Sequence, residues 1–145
     1  MASLYETDFY AWTQRQAALL RTEEFSEVDW NHLIEEIETL GRSERNEVKN
    51  RLIVLIMHLL KWQYQPELQS RSWIATITVQ RDDLAALLAD NPSLHAQLAE
   101  FVDEVYSRAV KRAVQETGLR ATVFPAACPF SAEEIMNEDF WPDAP

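Results

Sequence analysis

Apolar residues along this chain recur at intervals of three and four, the period of helices with one buried face. Phe9, Trp12, Ala17 and Leu20 fall roughly on one side of a first helix ending near residue 20, with Thr7 or Asp8 as its N-cap. The acidic turn at 23–28 interrupts the pattern. A second helix is expected over 30–40, capped by Asp29, with Trp30, Leu33, Ile34, Ile37 and Leu40 forming a half-buried stripe. Gly41 stands where a left-handed C-cap is expected and Ser43 can start the next helix, although one continuous, kinked helix through Gly41 also fits.

The third helix, over 44–64, is the organising element. Between Leu52 and Trp62 only His58 and Lys61 are polar, so most of its circumference must be covered. Glu44, Glu47, Arg51, His58, Trp62 and Gln65 fall on one narrow polar stripe. Pro66 ends it, because proline lacks the N–H and clashes with the preceding turn. A fourth helix starts between Glu67 and Ser72 and runs to about residue 89, burying Trp73, Ile74, Ile77, Leu84, Leu87 and Leu88. A fifth, over 93–116, turns Leu94, Leu98, Phe101, Val102, Val105, Ala109, Val110 and Ala113 inward and stops at Gly118. Beyond Leu119 prolines alternate with aromatic residues, and Ser131 with Glu134 reads as a capping box on a short helix. The expected fold is all-α: a single-domain, up-and-down bundle of four to five helices, with an extended C-terminal segment (119–145) packed across it.

Composition adds limits. With two glycines in 145 residues, an all-β architecture is disfavoured. The one cysteine, Cys128, excludes an intrachain disulfide and suggests a reducing, cytoplasmic setting. The first residues lack the basic and apolar regions of a signal peptide. The apolar run at 52–57 is far shorter than the roughly 20 residues a membrane span needs. The net charge of −11 is spread unevenly: −7 over residues 1–40, +4 over 41–81 and −8 over 82–145. Nucleic acid and anionic membranes are therefore expected to be poor partners.

The ordered pieces LYETDFYAWTQRQAALLR, LIEEIETLGRSER, LIVLIMHLLKWQYQPE, RSWIATITVQR, NPSL, ETGL and FPAACPF span nearly the whole chain. Together they resemble the bacterial family catalogued as domain of unknown function twenty-nine. The resemblance implies a compact all-helical domain and brings no established activity with it.

Three constellations carry candidate chemistry. Asp29, His32 and Glu36 share a helix face, and Glu35 with Glu38 makes a second pair. Di-metal bundles build such sites from Glu-x-x-His pairs, which this chain lacks, so a solvated acidic face is the plainer reading. The three histidines His32, His58 and His95 lie on different helices, a candidate metal set whose members' spacing does not bring them together. The best candidate is a basic, Trp-walled strip. Arg51, His58, Lys61, Trp62 and Gln65 are joined across the Pro66 turn by Arg71, Ser72, Trp73, Gln80 and Arg81. It suits an acidic ligand, or else a structural network of ion pairs with Glu35, Glu36 or Glu38.

Cys128 has no evident base, Ser72 near His58 lacks an orienting acid, and no phosphate loop or zinc-ribbon spacing occurs. No catalytic residue and no cofactor is therefore assigned. The expectation is a non-enzymatic cytoplasmic interaction module, partner-binding or antitoxin-like, with a protein partner or self-association. A metal-dependent or hydrolytic enzyme around His58, Arg81 and the glutamates at 35, 36 and 38 is the alternative.

Overall fold

A computed structural model describes residues 1–145. The chain is all-helical, as the apolar spacing requires, with seven α-helices. Four are long: α2 (Phe9–Arg21), α3 (Trp30–Tyr64), α4 (Arg71–Asp90) and α6 (Leu98–Thr117). The single-turn helices α1 (Leu4–Thr7) and α5 (Pro92–His95) and the five-residue α7 (Ala132–Met136) complete the set. No helix is long and apolar enough to cross a membrane.

The chain divides into two compact units, Met1–Glu44 and Arg45–Pro145. In the first, Asp8 caps α2 by accepting from the backbone N–H of Ala11. Glu23, with a φ of 61°, closes the turn after that helix. Trp12, Gln16 and Leu19 are its buried residues.

The second unit holds the main core. Leu52, Ile53, Leu55, Ile56, Leu59 and Leu60 of α3 pack with Ile77, Leu84 and Leu88 of α4 and with Phe101, Val102, Val105, Ala109 and Ala113 of α6. Phe124, Phe130 and Ile135 close it, with Phe140 and Trp141 packed alongside. The expected capping box on α7 forms from both sides, Ser131 accepting from Glu134 N–H and Glu134 accepting from Ser131 N–H. Gly118, at a φ of 73°, ends α6 in the left-handed conformation expected there.

Three expectations need correction. Of the two readings open at Gly41, the C-cap is not observed and the continuous helix is: α3 runs unbroken for 35 residues, about 52 Å. A glycine costs a helix interior roughly 1 kcal/mol, too little to stop a helix with good formers on both sides, whereas Pro66 removes a donor and does stop it. The expected helix over 93–116 is divided at Ala96–Gln97, where the Gln97 N–H bonds the Leu94 carbonyl in a tighter i to i−3 turn. The stripe on the first half of α3 is not covered: Trp30, Ile34, Ile37 and Leu40 are 47%, 52%, 60% and 68% exposed. Ile74 of α4 is exposed as well.

Candidate functional site

Arg51, Lys61 and Arg81 of the strip predicted around Pro66 each have a defined partner, and none of those partners is Glu35, Glu36 or Glu38. Arg51 bonds Glu47 one turn earlier at 3.1 Å and reaches across to Asp83 at 2.9 Å and Gln80 at 3.4 Å. The buried Lys61 places its ammonium 3.0 Å from Glu116 and 4.7 Å from the Trp73 ring centroid. The ring of Trp62 packs against Trp141 at 4.7 Å. Gln65 belongs to the backbone turn that ends α3, its N–H bonding the Lys61 carbonyl.

Arg81 is the unusual member, 3% exposed and without a carboxylate ion pair. Its Nε donates to the Ile135 carbonyl and its Nη2 to the Phe140 carbonyl, both at 2.8 Å. The guanidinium lies 5.5 Å from the centroid of Trp141. Burial holds its pKa below the usual arginine value, opposed only by the charge of Glu138. A guanidinium so occupied binds the C-terminal segment to α4.

The remaining strip residues make local bonds or face solvent. His58 Nδ1 bonds the Val54 carbonyl at 2.8 Å, one turn back on the same helix, and burial lowers its pKa. Arg71 and Ser72 are exposed at the start of α4. No hydrogen bond joins Ser72 to His58. Burial raises the pKa of Cys128, which keeps it a thiol. No group of three or more His, Cys, Asp or Glu side chains gathers closely enough to hold a metal ion.

The first unit has the more open chemistry. Asp29 accepts from Trp12 Nε1 at 3.0 Å and bonds His32 Nδ1 at 2.7 Å. Its own backbone N–H donates to the buried Gln16 side chain at 2.8 Å. The His32 ring stacks on Tyr5 with centroids 3.9 Å apart, and the Tyr5 hydroxyl donates to Glu36. That bond pushes the Tyr5 pKa up to about 12. The pair Asp29 and His32 shift each other: the hydrogen bond from His32 lowers the Asp29 pKa, and the same bond raises that of His32. Asp29, His32 and Glu36 thus serve as a polar clasp on α1 and α2. Glu38 faces Arg42 at 3.9 Å.

Beside the clasp a groove of about 390 Å³ opens between α2 and the first half of α3. Phe9, Trp12 and Leu20 line one wall; Leu33, Ile37 and Leu40 line the other, with Glu36 at its margin. The sequence held one signal for it, the three-four apolar spacing at 30–40, and that spacing reads the same whether the stripe is covered or open.

These features define an all-helical protein whose buried cations brace its own chain and whose N-terminal unit leaves an apolar face open. The chain belongs to the family described as Domain of unknown function DUF29, which matches residues 4–141. No curated protein and no solved structure matches it.

Proposed function

We propose that this protein is a non-enzymatic interaction module of the bacterial cytoplasm that docks a partner protein on the groove between α2 and α3. One observation carries the reading. Ile37 and Leu40, which line the groove, and Ile34 beside them recur at helical spacing, and each is more than half exposed. Aliphatic side chains left in water at that spacing form a continuous apolar surface, and burial of each is worth about 1.5–3 kcal/mol. The polar strip supports the same reading from the other side, since Arg51, Lys61 and Arg81 are already engaged within the second unit.

A photoreactive residue at Ile37, introduced in the cells that make the protein, tests it. A cross-linked adduct of discrete mass is expected at Ile37, absent with the same probe at Val79 on α4 and lost in the Leu40→Glu background. Failure to cross-link at Ile37, or an adduct insensitive to Leu40→Glu, overturns the proposal.

A further inference from the structure

The partner's chemistry can be read from the groove and its surroundings, on the footing that the groove is a docking surface. At about 100° per residue, Leu33, Ile37 and Leu40 span one face of α3, and Glu36 and Glu38 lie about 100° to either side of Ile37. On α2 the lining residues Phe9, Trp12, Gln16 and Leu20 extend over three turns, about 16 Å. An apolar trough of that length, flanked by carboxylates, has the form of a receptor for one helix with anchors at i, i+3 or i+4, and i+7.

Charge selects which helix. Residues 1–44 carry ten carboxylates and three arginines, a net −7 with histidine neutral. Glu36 itself lines the groove and gives one carboxylate oxygen to the Tyr5 hydroxyl, leaving the other for a donor from outside. A helix with an apolar stripe between lysines or arginines satisfies both features at once.

A second copy of the chain does not. The same surface on a second copy would bring −7 against −7. The most basic exposed helical segment, carrying Arg108, Lys111 and Arg112, already buries its apolar face, Val105, Ala109 and Ala113, in its own core. Gly41 adds a steric feature. It lies within the helix, next in sequence to the lining residue Leu40, and a Cβ built there meets nothing within 4 Å. A bare backbone patch of this kind permits close helix-to-helix approach at a small cost in helix stability.

We infer that the groove between α2 and α3 receives a basic amphipathic helix of a different protein, its apolar stripe between Leu20 and Ile37 and its cations beside Glu36 and Glu38.

The test uses the full chain and two synthetic peptides of roughly 14 residues, about four turns. Both carry the same leucine stripe; lysines flank it in one and glutamates in the other. Fluorescence anisotropy measures affinity and backbone NMR shifts locate the contact. The lysine peptide is expected to bind at least about tenfold more tightly than its glutamate twin at low salt, and to weaken several-fold as salt rises from about 0.05 to about 0.5 M. Its shifts should fall on α2 and the first half of α3. Leu40→Glu should abolish binding, and Glu38→Lys should weaken it several-fold while both variants keep wild-type circular dichroism.

Equal affinity for the two peptides, shifts elsewhere, or a concentration-dependent dimer lost on Leu40→Glu would overturn the assignment. The cellular cross-link separates the two proposals. An adduct at Ile37 with no preference for the lysine peptide removes only the basic-helix assignment. Neither adduct nor peptide binding removes both.

Discussion

The Nε of Arg81 donates at 2.8 Å to the backbone carbonyl of Ile135, joining a helix in the middle of the chain to a segment 54 residues later. The Phe140 carbonyl accepts a second bond from the same guanidinium, so a single buried cation holds α7 and the chain beyond it. A charged donor bonded to carbonyls is worth about 1.5–3 kcal/mol per bond, and removal leaves buried acceptors unmet. Arg81→Ala should therefore lower unfolding stability by about 3 kcal/mol. Arg81→Met, which restores volume but no donor, should recover part of this. Urea unfolding midpoints measure both, and limited proteolysis should show cleavage beyond Phe130 in the alanine variant before the rest of the chain.

Lys61 should contribute far less through its charge. Its ammonium is buried, but Glu116, 3.0 Å away, remains nearly half exposed, so water screens the pair. A double-mutant cycle with Lys61→Met and Glu116→Gln should return a coupling of about 0.5–1 kcal/mol. Lys61→Met alone should be nearly neutral, since methionine keeps the packing against Trp73.

The two half-buried histidines should respond to pH with opposite sign. The hydrogen bond that His32 donates to Asp29 raises the pKa of His32 above its ordinary value near 6.5. Its contribution to stability is therefore full below that value and is lost as pH rises through the folded pKa. Asp29, lowered chiefly by His32 and also by Trp12, contributes above the ordinary aspartate value and loses that contribution as pH falls through its folded pKa. His58 is lowered by burial, so its neutral form is favoured when folded. Its contribution is present above about 6.5 and is lost as pH falls through its folded pKa. Histidine ring NMR titrations should give His32 an apparent pKa above the ordinary value and His58 one below it. The order should reverse for neither in Asp29→Asn, but the His32 value should drop back toward 6.5.

The parts of this architecture legible in the sequence are those set by neighbouring residues. Asp8 at the start of α2, Pro66 after α3, Gly118 after α6 and the Ser131 capping box each act within one turn of chain. The residue types of the strip are visible in the sequence, but their partners are not. Arg81 bonds to backbone carbonyls, which every residue possesses and no residue type advertises. Asp83 and Glu116 are two among many surface acids until helix packing selects them. Whether the stripe of Ile34, Ile37 and Leu40 meets a neighbour depends on tertiary packing, and periodicity carries no information about that.

Gly41 separates the requirements of the fold from those of docking. Nothing lies within 4 Å of a Cβ at this position, and the residue has helical neighbours on both sides. Alanine there should fit without strain and should raise stability by about 0.5–1 kcal/mol, through higher helix propensity and a less flexible unfolded chain. Thermal and urea unfolding of Gly41→Ala measure this half of the prediction. If a partner helix crosses α3 at the bare backbone, the same methyl group should reduce affinity for the lysine peptide, and Gly41→Leu should reduce it further. A variant that is more stable and binds less well would show that the glycine is kept for close approach. A variant that gains stability and binds as before would place the crossing point elsewhere along the groove.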